Sequence, residues 1–237
     1  MAPSLHAVPA AGFGRASAAV LLSRTTRFAR PVIGLPTGST PLGLYAELGE
    51  LASRGGLDIS LWHPFAIDEY MGPRQHPCSN YSYFARHWDG IPGAPAVQQF
   101  DPQSPDPEVE AASFAARLSA AGGLDIAVLG IGLNGHVAFN EPGSGADSSA
   151  RPVRLHEESR RSAAACWGAG TPERGLTLGM AELLAARSVI LLASGASKAG
   201  IIARALRDPV SAECPASFLQ QHGDLVVVLD KQAASGL

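Results

Sequence analysis

The stretch Asp125–Ser144, DIAVLGIGLNGHVAFNEPGS, runs from a buried-strand pattern straight into a glycine-punctuated loop carrying His136, Asn140 and Glu141. Chemistry is thus presented at the carboxyl end of a strand, where open α/β sheets hold their ligands. Gly130, Gly132 and Gly135 also match G-x-G-x-x-G, the turn that binds a dinucleotide pyrophosphate. That reading requires a helix of about ten residues to open at Gly135 and an acid to follow about twenty residues on. Glu157 and Glu158 meet the second condition, but Pro142, Gly143 and Gly145 arrive too early for a packing helix. The glycines therefore read as a tight loop that brings His136 and Glu141 together, and no nicotinamide or flavin site is expected.

Working outward, further short apolar runs occur at Val32–Leu35, Phe65–Ile67, Val189–Leu192 and Leu225–Leu229, beside Ile126–Leu129 of the opening stretch. Helical spacing separates them: Leu44, Leu48 and Leu51 share one face, as do Ile201, Ile202, Ala205 and Leu206. Alternation of strand and helix predicts an α/β fold, a Rossmann-like, mostly parallel sheet with helices on both faces. At 237 residues a single domain over 1–237 is expected. The N-terminal segment has no early basic region, and Arg15 and Arg24 bracket a short apolar run, which predicts an amphipathic helix rather than a signal peptide. Asp101–Asp106, DPQSPD, reads as a surface turn before a helix with Glu108 and Glu110 in its first turn. Gly143–Pro152 is polar and helix-poor, so a lid is expected near 143–165.

Composition narrows the partners. Hydrophobic residues make up 46% and charged residues 16%, a globular balance, and a net charge of −3 gives no basis for binding nucleic acid or an anionic membrane. No apolar run is long enough for a membrane span. Cys78, Cys166 and Cys214 lie far apart and are odd in number, so neither a disulfide framework nor a zinc cluster is expected and a reducing cytoplasm fits best. Monomer and homo-oligomer both remain open.

Three more segments carry candidate chemistry. Gly34-Leu-Pro-Thr-Gly-Ser-Thr-Pro-Leu ends a strand in a small-residue turn with hydroxyls at Thr37, Ser39 and Thr40. Such a turn, with Gly38 at its centre, aims N–H groups and hydroxyls at one point and suits a phosphate; an ordinary turn with Thr40 as N-cap and Pro41 as the first helical residue accounts for the same residues. Asp68-Glu69 follows a second strand. Adjacent carboxylates at a strand end face opposite ways, so one can enter a site while the other is held by structural hydrogen bonds; the plainer reading is a solvated acidic turn. Lys198, in SGASKA, follows a third strand and opens a helix, as a phosphate counter-ion or as surface charge. His136 and Glu141 within hydrogen-bond reach would form a proton relay, and no His or Cys sits nearby at metal-ligand spacing.

Taken in order, GLPTGSTP at Gly34, IDEYMG at Ile67, GIGLNGHVAFNEPGS at Gly130 and the GASKA lysine region near Gly195 resemble the glucosamine-6-phosphate deaminase family, over roughly Pro31 to Asp230. That family lies within the deaminase, 6-phosphogluconolactonase and ribose-5-phosphate isomerase-like fold group. The resemblance implies isomerisation of glucosamine 6-phosphate with loss of ammonia, giving fructose 6-phosphate, without a redox cofactor or catalytic metal. It further implies Asp68 as the base at C2, His136 as the group assisting ring opening with Glu141 as its partner, and Thr37, Gly38, Ser39, Thr40 and Lys198 as the phosphate holders.

The chain departs from the family pattern in three places. Asn134 stands where the family often has Asp; an amide orients the imidazole but does not offset its charge. Ser159-Arg160-Arg161-Ser162-Ala163-Ala164-Ala165 has alanine at the place of a phosphate-binding arginine, a loss of about 2–3 kcal/mol if nothing replaces it, and Arg161, one helical turn earlier, is a candidate stand-in. The chain also stops soon after Asp230, which implies a short, non-allosteric type. A related sugar-phosphate isomerase, a 6-phosphogluconolactonase-like hydrolase and a non-catalytic sugar-phosphate-binding regulator are the alternatives.

Overall fold

The computed structural model describes residues 3–237 and pairs all five expected apolar runs in one sheet. In chain order the main elements are β1 (Ser4–Val8), α1 (Phe13–Thr25), β2 (Val32–Leu35), α2 (Leu42–Ser53), β3 (His63–Ala66), β4 (Asp68–Tyr70), α3 (Asn80–His87), α4 (Pro107–Ala120) and β5 (Ile126–Gly130). There follow β6 (Arg151–Arg154), α5 (Glu157–Trp167), β7 (Arg174–Thr177), α6 (Met180–Leu184), β8 (Ser188–Ala193), α7 (Ala199–Arg207) and β9 (Leu225–Asp230). The main sheet has the order β1-β9-β8-β5-β2-β3, with every pairing parallel. The α/β class and the mostly parallel sheet expected from the sequence are what the chain forms.

Side-chain alternation accounts for the two cores. Ile126, Val128, Ile190, Leu192, Val226 and Val228 point to the layer packed with α1 and α2. Ala127, Leu129, Val189, Leu191, Val227 and Leu229 point to the layer packed with α4 and α7. A strand covered on both faces is apolar throughout, which is why these runs show no polar alternation. On α2 the buried face is Leu44, Tyr45, Leu48 and Ala52, with Leu51 half-buried at its edge. On α7 it is Ile201, Ile202 and Ala205.

Two strand groups escape the apolar-run reading. β1 is mostly exposed and pairs only with β9 at the sheet edge, so burial left no mark on its sequence. A second sheet, β4-β7-β6, is antiparallel and built from strands of three or four residues. The expected run Phe65–Ile67 ends one residue early, and the chain turns at Ile67 so that Asp68–Tyr70 joins this small sheet.

The cysteine expectation is overturned. Cys78 and Cys166 form a disulfide across 88 residues, with Cα atoms 5.9 Å apart, while Cys214 is free and buried. Separation in sequence hid the pair, because only folding places α5 beside the loop before α3. No helix among the described residues is long and apolar enough to cross a membrane.

Candidate active site

Four neighbouring strands of the main sheet, β8, β5, β2 and β3, deliver their carboxyl ends to one cleft of about 440 Å³. From β2 the chain moves to β3 on one side and then to β5 on the other, so the cleft sits at a topological switch point. Thr37, Gly38, Ser39, Thr40, Asp68, His136 and Lys198 all line it.

The turn after β2 holds its hydroxyls free of the helix it precedes. Pro41 takes the capping position, one residue later than the Thr40 cap weighed from the sequence, and no side-chain bond caps α2. Gly38 sits at φ +92°, a conformation natural to glycine. Tyr45 donates its hydroxyl to the Pro36 carbonyl at 2.6 Å and Tyr83 donates to Gly38 O at 2.7 Å, pinning the turn at its start and its centre. Thr37 Oγ1 donates to Asn80 Oδ1 at 3.0 Å.

The two carboxylates divide as their strand positions require. Glu69 is fully buried; its Oε1 accepts from the Tyr70 and Asn80 backbone N–H at 2.8 and 2.9 Å, and its Oε2 from Tyr81 N–H at 2.8 Å. Burial still pushes its pKa up to about 7 against those donors. Asp68 faces the cleft, and Asn80 Nδ2 donates to its Oδ1 at 2.6 Å and to its carbonyl at 3.0 Å. Burial first, and then the charge of Glu69, raise Asp68 to about 7, with Asn80 opposing and Glu141 adding to the rise. A carboxylate poised near neutral pH is a competent general base.

The loop after β5 brings His136 and Glu141 together. Gly132 N–H donates to His136 O at 2.9 Å, and a Cβ on Gly132 would overlap the His136 ring, so only glycine lets the imidazole lie there. Gly135 sits at φ +90°, and a Cβ there would run into Cys214 Sγ. Ala138 holds φ +50°, an uncommon conformation for a residue with a Cβ, at the cleft wall. The small sheet props the loop: Phe139 N–H donates to Thr177 Oγ1 at 3.1 Å, and buried Asn140 donates Nδ2 to Val137 O and Leu178 O.

His136 Nδ1 lies 3.3 Å from Glu141 Oε2 and 3.2 Å from Ser159 Oγ. Burial opposes ionisation of Glu141, but hydrogen bonds from His136, Ser159 and Asn134 outweigh it and draw the pKa down to about 2. A permanent anion facing Nδ1 selects the tautomer protonated there and leaves Nε2 as the second working nitrogen. Asn134 makes no hydrogen bond to the imidazole among the described residues; it donates Nδ2 to Glu141 Oε2 at 2.9 Å and accepts the His136 backbone N–H at 3.1 Å. Its orienting action therefore runs through the carboxylate and the main chain.

Lys198 stands at the end of a short 3-10 turn after β8, where Asp230 Oδ2 accepts from Ser194 Oγ and Gly195 N–H. Its Nζ donates to Ile131 O at 2.6 Å, and burial lowers its pKa. Arg161 does not line the cleft. It is exposed and pairs with Glu157 and Glu158, each at 2.8 Å, because its position on α5 points it along the outer face. Gly143–Pro152 is tied down through Arg151, which donates to Asn140 Oδ1, Ser144 Oγ and Ser149 O, and α5 is the segment that overhangs the cleft.

Sequence reading passed over Asn80, Ser159, Tyr83, Arg86 and the disulfide cysteines, all of which line the cleft. They come from α3 and α5 or the loop before α3, not from strand ends. The one local signal was Ser79, whose Oγ caps α3 by accepting from Ser82 N–H.

The family model described as glucosamine-6-phosphate isomerases/6-phosphogluconolactonase matches residues 10–227. A glucosamine-6-phosphate deaminase of Beutenbergia cavernae is 40% identical over 94% of this chain and 89% of its own length. One from Rhodopirellula baltica is 39% identical over 92% of this chain and 89% of its own. Among solved structures, a monomeric glucosamine-6-phosphate deaminase is 29% identical with a TM-score of 0.94, covering 99% of this chain and 100% of that one. A 6-phosphogluconolactonase from Trypanosoma brucei, at 24% identity and TM-score 0.76 over 99% of this chain and 98% of its own, shares the fold.

Proposed function

Since the chain belongs to the family of glucosamine-6-phosphate isomerases and 6-phosphogluconolactonases, we propose that it converts glucosamine 6-phosphate and water to fructose 6-phosphate and ammonia. The observation that carries this reading is the pairing, across one cleft, of a buried Asp68 with a pKa near 7 and a His136–Glu141 relay. A binding protein has no use for a carboxylate aimed into the cleft opposite a His–Glu pair.

His136 moves the proton that opens the sugar ring, its Nδ1 held by Glu141 and Ser159 and its Nε2 toward the substrate. In the open chain Asp68 takes the proton from C2, the electron pair forms the C1–C2 double bond, and the aldehyde oxygen takes a proton from the C2 ammonium, giving an enolamine. Returning the proton to C1 leaves an iminium at C2. Water adds to that carbon, ammonia leaves, and a ketone remains. Asn80 keeps Asp68 aimed into the cleft, while Thr37, Gly38, Ser39, Thr40 and Lys198 hold the phosphate. Sugar phosphates are charged and stay where they are made, so the cytoplasm is the proposed compartment.

The test is ammonia release from glucosamine 6-phosphate and galactosamine 6-phosphate measured side by side. Glucosamine 6-phosphate is expected to turn over, and Asp68→Asn to lower kcat by about 10³-fold or more with KM little changed. Robust turnover by Asp68→Asn removes the assigned base. Hydrolysis of 6-phosphogluconolactone at a rate above ammonia release moves the chain to a lactonase reaction on the same fold.

A further inference from the structure

We propose that Arg86, on α3, is a second cationic ligand of the substrate's phosphate, acting with Lys198 across the turn Thr37–Thr40. The inference rests on the sugar-phosphate reading above.

A phosphate monoester carries close to two negative charges at neutral pH. Hydroxyls and backbone N–H groups orient it without neutralising it. Lys198 brings one charge, already lowered in basicity by burial and with one N–H committed to Ile131 O. Among the residues lining the cleft, Arg86 is the only other lysine or arginine.

Arg86 is also placed for the work. It follows Tyr83 by three residues on the same helix, and the Tyr83 hydroxyl is bonded to Gly38 O at 2.7 Å in the middle of the hydroxyl turn. Residues three apart share a helix face, so the guanidinium projects beside that turn. Its charge is felt at the Tyr83 phenol, where burial raises the pKa and Arg86 opposes the rise. Among the described residues no carboxylate pairs with Arg86 and no hydrogen bond occupies its guanidinium. By contrast Arg161 is held by Glu157 and Glu158 outside the cleft. A free, exposed guanidinium beside a phosphate turn can present its planar fork to two phosphate oxygens at once, which an ammonium does not.

The test compares the intact protein with Arg86→Ala and Arg86→Lys, each checked for unchanged thermal unfolding, as expected for an exposed side chain. Calorimetry with inorganic phosphate and KM for glucosamine 6-phosphate are the readouts. Arg86→Ala is expected to weaken both by about tenfold or more with kcat within about threefold, and Arg86→Lys to recover only part of the loss. Phosphate affinity and KM within twofold of the parent in Arg86→Ala would overturn the proposal. Phosphate binding needs no turnover, so loss of binding in Arg86→Ala supports the site even if ammonia release is absent. Undetectable phosphate binding by the parent protein counts against the phosphate site itself.

Discussion

Asp68, the proposed base, owes its raised pKa to burial and to Glu69, and that has consequences of opposite sign for activity and stability. Only the carboxylate accepts a proton, so kcat/KM is expected to fall about tenfold per unit as pH drops below about 7 and to level off above it. Glu141, at about 2, stays charged throughout that range and adds no second limb. The folded-state pKa of Asp68 lies above its unfolded value near 4, so the folded state binds the extra proton and stability is lost as pH rises from about 4 through 7. Asp68→Asn should therefore unfold at higher temperature than the parent at pH 8, by on the order of 1 kcal/mol or more, with the gap closing at pH 4; a gap that does not change with pH would deny the raised pKa. Gly132 is the companion case in the relay loop. A methyl there overlaps the His136 ring, so Gly132→Ala should cost about 1–3 kcal/mol of stability and lower kcat/KM by about a hundredfold, measured by thermal unfolding and steady-state rates. The places of Asp68, His136 and Lys198 in the cleft were readable because each lies in the segment that follows an apolar strand, and strand ends in this fold class face the ligand. Asn80 and Ser159 lie on helices whose own sequence records helix caps and buried faces, not which residue will meet a carboxylate folded from elsewhere.

At the scale of elements, α5 and the loop before α3 are joined covalently by Cys78–Cys166, and both cysteines line the cleft. The bond closes a separation of 88 residues, so its reduction should lower unfolding free energy by about 2–4 kcal/mol, read from denaturant curves with and without a dithiol reductant. Since α5 also carries Ser159 to His136, the reduced protein should show a KM for glucosamine 6-phosphate raised by about two- to fivefold. Equal KM in both forms would mean that packing of Trp167 against His76 and Tyr70 holds α5 in place by itself. A reducing cytoplasm would keep such a pair under the control of cellular thiols. The small sheet β4-β7-β6 is the other element that matters, because it underpins Phe139 and takes in Asp68 at its first residue. Its strands are too short, and too mixed in polarity, to leave a periodic mark in the sequence.

For the whole molecule, the central sheet is a scaffold whose stability is separable from the chemistry at its edge. Leu191, fully buried in β8 between β5 and β9, should cost about 2–5 kcal/mol when changed to Ala, while KM and the pH profile stay with the parent. A shift in the pH profile of Leu191→Ala would show that the scaffold and Asp68 are coupled. By itself the sequence determined the α/β class, the five apolar strands covered on both faces and the strand-end residues of the cleft, since these follow from side-chain pattern and turn chemistry within a few consecutive residues. Only the tertiary structure decided that Asn80 meets Asp68 and Ser159 meets His136, that Arg86 rather than Arg161 lines the cleft, that Cys78 finds Cys166, and that burial and Glu69 push Asp68 up to about 7. Those outcomes depend on desolvation and on distances of a few ångströms between segments far apart along the chain, and no local pattern records either.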